Sequence, residues 1–339
     1  MMCGCSVVSS AGCLPWWWNW VPASRMRVMF KQQDFSPVVR FGAVLRTATS
    51  LRDLVDRAQW LEDAGFGTAL MSDHLAGERL APMPALAAIA SATTRLRLGT
   101  LVLANDFRHP AVLAREASTL DLLSGGRFEL GLGAGWRAEE YQAAGLGFDR
   151  PGVRIDRLAE AVTVMRELWR GGSCAFGGRY YQLDGLEMAM PCARPGRARP
   201  DLLIGGGGPR LLRLAARHAD TVAFTRRANR GGSGPFPGDT TMGALRRKVS
   251  LVHDAAGART AQLELAMSLV RIKESIPDDL NAEAFVLGGD VAAMVDQVLQ
   301  RIDLGVSYFL LHRQDDLARF APVVAELSGA RGRRAFDAG

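Results

Sequence analysis

From residue 38 onward the chain alternates two patterns of apolar and polar positions. One is a short, nearly continuous apolar run. The other is a longer stretch with apolar residues three and four apart. Short runs of this kind suit strands of a parallel sheet buried on both faces, and the longer stretches suit amphipathic helices. The first run is "VVRFGAVLR" (38–46), followed by a helix "SLRDLVDRAQWLEDAG" (50–65) whose stripe is Leu51, Leu54, Val55, Ala58 and Leu61. Ser50, with Asp53 three residues on, fits the start of that helix, and Gly65 fits its end.

The alternation then repeats. Strand 67–73 precedes helix 84–94, strand 96–103 precedes helix 110–124, and strand 127–135 precedes helix 154–169. Strand 201–206 precedes helix 209–219, strand 220–225 precedes helix 241–257, strand 263–272 precedes helix 291–303, and strand 306–312 precedes helix 317–327. Eight strand–helix units predict an α/β fold, a (β/α)8 TIM barrel. An open doubly wound sheet is the other arrangement, but it commonly has six strands or fewer. The connections 136–153, 226–240 and 273–290 are long and follow barrel strands directly, which places long insertions at the C-terminal face, where barrel active sites lie. The connection 171–200 contains "AFGGRYYQL" and reads as a hairpin.

The expected organisation is an N-terminal extension (1–37), disordered or weakly packed, one barrel domain (38–328) and a basic flexible tail (329–339). The extension carries Trp16, Trp17, Trp18 and Trp20, has no early basic residue and no unbroken apolar segment. It is a poor signal peptide and too short to span a bilayer. Met26 and Met29 are alternative starts.

Composition narrows the function classes. The net charge is +6, and almost all of the positive charge is arginine, the lysines being Lys31, Lys248 and Lys273. No basic block alternates with aromatics, so no nucleic-acid surface is expected. An anionic small molecule is the better partner. Five cysteines, Cys3, Cys5, Cys13, Cys174 and Cys192, form neither a zinc pattern nor an even disulfide set. A cytoplasmic protein with no membrane and no metal partner is expected.

The candidate chemistry lies where strands end. Strand two runs into Asp73 and His74. An imidazole at a barrel mouth suits acid–base chemistry, and Asp73 is a candidate to orient it. A structural hydrogen bond is the plainer alternative. Strand five ends in "IGGGGPR" (204–210), where Gly205, Gly206, Gly207 and Gly208 let backbone N–H groups approach an anion at a helix start. "GLGAG" (131–135) also permits close backbone approach, but its spacing and its place in a fourth unit exclude a dinucleotide fingerprint. Arg108, Arg137 and His312 are candidates for contacts to substrate or anion.

These segments together resemble the luciferase-like monooxygenase superfamily, and within it the branch that uses the deazaflavin coenzyme F-420. The markers are "SDH" (72–74), "LRLGTLVL" (96–103), "HPAVLAREASTLDLLSGGRFELGLGAGW" (109–136), "RLAEAVTVMRELW" (157–169) and "LLIGGGGPRLLRLAARHAD" (203–220). The resemblance implies a barrel with the cofactor ring across its mouth and hydride transfer between ring C5 and a small organic substrate. It implies His74 as acid/base with Asp73 beside it, and a non-prolyl cis peptide at Leu101–Val102 supporting the ring. Ala104, Asn105 and Gly205 then belong to the cofactor-binding set, Ala134 and Gly135 match ring or tail contacts, and Gly206, Gly207 and Gly208 match the phosphate site. A homodimer is the family's habit. Some members carry a carboxylate directly after the strand-four glycines. Trp136 and Arg137 stand there in this chain, with Glu139 and Glu140 slightly later. Two other readings use the same barrel: an FMN-dependent monooxygenase fed by a reductase partner, and a non-catalytic cofactor-binding barrel.

Overall fold

The computed structural model describes residues 39–336 except 78, 189–192, 194–196, 198, 228–235 and 276–282, with backbone alone past residue 328. The extension with its tryptophans, Cys3, Cys5 and Cys13 lies outside the described residues, as does Cys192. Val38–Gly339 forms one unit.

Among the described residues eight parallel strands follow one another round a closed sheet. They are β1 (Arg40–Leu45), β2 (Thr68–Met71), β3 (Arg97–Thr100, resuming at Leu103–Ala104), β4 (Phe128–Gly133), β5 (Asp201–Gly206), β6 (Thr221–Phe224), β7 (Glu264–Leu269) and β8 (Tyr308–Leu311). Each pairs with its neighbours in chain order. β1 pairs with β8 at Ala43↔Leu311, and β3 with β4 at Leu98↔Phe128 and Leu103↔Leu132. The expected TIM barrel is therefore the observed fold.

The helices are α1 (Leu51–Asp63), α2 (Pro82–Ala92), α3 (Pro110–Leu123), α4 (Ala138–Ala143), α5 (Pro151–Arg170), α6 (Pro209–His218), α7 (Met242–Ala256), α8 (Val291–Ile302) and α9 (Leu317–Phe336). Local chemistry sets several of their starts. The Ser50 hydroxyl accepts from Asp53 N–H at 3.1 Å, and the Asp290 carboxylate from Ala293 N–H at 2.9 Å. No helix among the described residues is long and apolar enough to cross a membrane.

Three segments differ from the sequence expectation. β3 is broken at Leu101–Val102, where the peptide bond is cis, at the position implied by the resemblance. The run 263–272 is also broken: its end, Arg271–Lys273, leaves the barrel and pairs with Val286–Gly288 as a separate two-stranded sheet. The partner strand Val286–Gly288 lies within the long connection 273–290. The helix expected to end at residue 327 continues to Phe336. The hairpin is present as Ser173–Gly177 against Gln182–Glu187.

Strand alternation sorts the barrel interior into three layers. Residues at or next to the starts of the strands form a polar floor. Arg40 donates to Glu129 at 2.8 Å and to Glu264, and its guanidinium lies 3.7 Å over the Tyr308 ring. Arg97 pairs with Asp201 at 2.6 Å. Above this floor is a small apolar layer of Val44, Leu70, Leu101, Leu203, Ala223, Ala266 and Leu310. Two positions further along the same strands lies the mouth, with Arg46, Ser72, Thr225, Ser268 and His312. The larger core lies outside the barrel, between strands and helices.

Candidate active site

Asp73 and His74 follow β2 after Ser72, and being adjacent in extended chain they point apart. The Asp73 carboxylate is buried and accepts from Ala104 N–H at 3.1 Å and from both outer nitrogens of Arg108 at 2.6 and 3.2 Å. It ties the end of β2 to the backbone beyond the cis bond. The part of orienting His74, expected of Asp73, falls to Glu140, from the first turn of α4. His74 Nδ1 lies 3.1 Å from both Glu140 oxygens.

Glu140 is 4% exposed and also accepts from Arg137 at 2.7 Å. Burial alone would raise its pKa; the hydrogen bonds from Arg137 and His74 outweigh that and lower it. Glu140 is therefore ionised at neutral pH. Against a carboxylate, Nδ1 carries the proton and donates it, which leaves Nε2 with a lone pair. Nε2 has no partner among the described residues. Burial lowers the His74 pKa, and Arg137 and Arg79 lower it further, while Glu140 opposes. A neutral imidazole with a fixed tautomer results, with Trp136 edge-on at a ring separation of 6.2 Å. Such a group accepts a proton at Nε2.

The other expected residues surround this pair. The Val102 side chain lies beside Gly133 of β4 and Gly205 of β5. A Cβ at Gly133 would sit 2.6 Å from one Val102 methyl, and one at Gly205 would sit 3.0 Å from the other. The two glycines leave room for the Val102 side chain. Asn105 is buried and donates to the Tyr181 hydroxyl of the hairpin at 3.1 Å. The Ala134 carbonyl accepts from Arg154 at 3.2 Å, and the Gly135 carbonyl accepts from the same guanidinium nitrogen. Gly135 has a φ of +72°, and a Cβ there would lie 2.0 Å from the Tyr141 hydroxyl. Glycine is required at this point to seat α4, and with it Glu140.

Along the β5 turn the glycines differ in purpose. A Cβ at Gly206 would collide with Leu211 at 2.3 Å, and one at Gly207 with Arg227 N at 2.5 Å. Both are packing requirements. Gly208 faces open space and forms the N-cap of α6. Of the anion candidates, Arg108 is matched by Asp73 and Arg137 by Glu140. His312 ends β8, and its Nε2 is 2.9 Å from the Ser268 hydroxyl. Its pKa is pushed down to about 4 by burial, then by Arg46 and Arg226, so its imidazole is neutral.

Sequence reasoning did not single out Glu140. Its helix is six residues long, too short for a periodic signal, and 66 residues separate it from His74. The acidic pair opening a helix just after a strand-four glycine turn was the available clue.

Residues 35–232 match the luciferase-like monooxygenase family. The chain belongs to that family. It is 32% identical over 295 residues to an F-420-dependent hydroxymycolic acid dehydrogenase of Mycobacterium tuberculosis, covering 78% of this chain and 79% of the relative. It is 30% identical over 335 residues to an F-420-dependent glucose-6-phosphate dehydrogenase of Nakamurella multipartita, covering 86% and 95%. Among solved structures, an F-420-dependent secondary alcohol dehydrogenase shares the fold with a TM-score of 0.68 at 20% identity, covering 86% of this chain and 99% of that one.

Proposed function

We propose that this protein is an F-420-dependent oxidoreductase that interconverts a hydroxyl group and a carbonyl on a small organic substrate. The observation that carries the reading is the Glu140–His74 pair at the barrel mouth, with Nδ1 engaged and Nε2 unpartnered among the described residues. The dehydrogenase names of the curated relatives support it.

The residues suit the cofactor. Val102, seated against Gly133 and Gly205, would lie against the ring. The N-terminus of α6, reached by glycine backbone, suits a phosphate. Val102, Ala104, Asn105, Ala134 and Gly135 would flank the ring, and Gly205 to Gly208 would hold the phosphate. When bound, the deazaflavin supplies two-electron hydride chemistry at its C5. His74 contributes the proton side: Nε2 takes the hydroxyl proton on oxidation and returns it on reduction. Glu140 fixes the tautomer and stabilises the imidazolium, as a carboxylate does behind any catalytic histidine. Asp73, held by Arg108, would keep the end of β2 fixed to the backbone beyond the cis peptide.

Anaerobic assay with a panel of secondary alcohols tests the reading. Loss of the oxidised F-420 absorbance with alcohol, and without oxygen, is expected. A strict need for oxygen and reduced FMN would move the protein to the monooxygenases. For the phosphate site, Gly208→Asp is the informative change, because Asp is a favoured N-cap and nothing stands within 4 Å. F-420 affinity should fall about 10-fold or more as a carboxylate meets a phosphate, with Tm unchanged or raised. Equal affinity would remove the phosphate from this turn.

A further inference from the structure

Arg46 follows β1 and is two residues beyond Val44, whose side chain belongs to the inner apolar layer. Alternation points Arg46 into the mouth on the same side. Its Nε is buried and has no hydrogen-bond partner among the described residues. Among the described residues the charges close enough to act on it are all positive: Arg79, Arg313 and Arg137. Of these, Arg137 is matched by Glu140, Arg313 reaches Asp315 at 3.5 Å, and Arg79 reaches, among the described residues, the Ser72 hydroxyl at 3.5 Å. His312, on the neighbouring β8, adds a neutral imidazole and no negative charge.

A guanidinium placed this way is costly. Burying part of a charge with no counter-ion is unfavourable, and surrounding it with like charges adds repulsion. The cost is relieved by an anion. The cofactor's proposed phosphate site does not supply one here, because β1 and β5 lie on opposite sides of the closed sheet, four strands apart in either direction.

We propose that Arg46 anchors a subsite for an oxyanion, carboxylate or phosphate, carried by the substrate itself. Arg79 and Arg313 supply additional positive potential, and His74, after β2 next to β1, stands on the same side of the mouth. The substrate class is thus a hydroxyl or carbonyl compound bearing an anionic group. This rests on the oxidoreductase reading for the word substrate, though not for the anion.

Calorimetry on the full chain, with and without F-420, tests it. The probes are hexanoate, its neutral isostere hexanamide, and inorganic phosphate, each at low ionic strength. In the F-420-loaded protein one of the two anions should bind about 10-fold or more tightly than hexanamide, the size of one charge-assisted hydrogen bond. Arg46→Met should abolish that preference, leave F-420 affinity unchanged, and raise Tm in the absence of anion. Arg46→Lys, which keeps the charge but loses the fork, should retain part of the preference. The same preference in wild type and Arg46→Met overturns the subsite. Anion binding that F-420 abolishes, with F-420 affinity weakened in Arg46→Met, gives the anion to the cofactor and overturns the substrate assignment. Failure of F-420 to bind at all strikes the oxidoreductase reading instead, and the cofactor-free titrations then still decide whether Arg46 holds an anion.

Discussion

His74→Ala lowers turnover by about 100-fold or more, the usual size of a lost general acid/base, and leaves F-420 affinity within a few-fold. The loss is expected in kcat, because His74 acts on the hydroxyl proton and does not hold the cofactor. The pH profile carries a second part of the same prediction. His74 must be neutral to accept a proton, so alcohol oxidation falls as pH drops through its pKa. Burial, with Arg137 and Arg79, sets that pKa below the ordinary imidazole value. The acid limb therefore lies on the acidic side of an ordinary histidine, and turnover is flat with respect to this group through neutrality. Glu140→Gln removes the one interaction that raises it. The limb then moves to still lower pH and the plateau falls, because a weaker base remains. Steady-state rates of the three proteins against pH check this. Unchanged turnover in His74→Ala would eliminate the role.

Arg40→Met destabilises the barrel by about 3–5 kcal/mol, the cost of removing one partner from a buried ion pair. The Glu129 side chain is 1% exposed, and Arg40 is its nearest cation at 2.8 Å, with Arg97 at 4.0 Å. Burial raises the Glu129 pKa even with Arg40 present, and Arg40 opposes the shift. The variant raises it further. A carboxyl whose folded pKa lies above its unfolded value contributes stability at low pH that is lost as pH rises through the folded value. The penalty of Arg40→Met is therefore larger at pH 8 than at pH 5. Denaturant melts of wild type and variant at both values measure it. A penalty below about 1 kcal/mol at pH 8, the size of a surface pair, would show that the floor is not a buried ion-pair network.

The barrel could be read from the sequence because its strands are buried on both faces and its helices on one, and these two patterns differ in period. The break in β3 could not be read from periodicity, since Leu101 and Val102 are as apolar as their neighbours; only the family resemblance pointed there. The polar floor was hidden for a different reason. Arg40, Glu129 and Glu264 each open an apolar run, where a charge looks like an exposed end, and only closure of the sheet brings them together. At the site, His74 was found because an imidazole ending a buried strand is unusual. Its pairing with Asp73 was suggested by adjacency in the chain, while extended backbone turns neighbours apart and lets Glu140 approach from a six-residue helix. The glycines after β5 were read as one anion cradle. In the structure Gly206 and Gly207 answer to Leu211 and to the backbone of Arg227, and Gly208 alone is open.

The most direct test of the central claim is cofactor preference. The full chain is titrated into oxidised F-420 and, separately, FMN, with fluorescence followed in each. Micromolar or tighter binding of F-420, with FMN at least 10-fold weaker, is the predicted result. The reverse preference would contradict the account, assigning the barrel to flavin and leaving the Glu140–His74 pair without the hydride partner proposed for it.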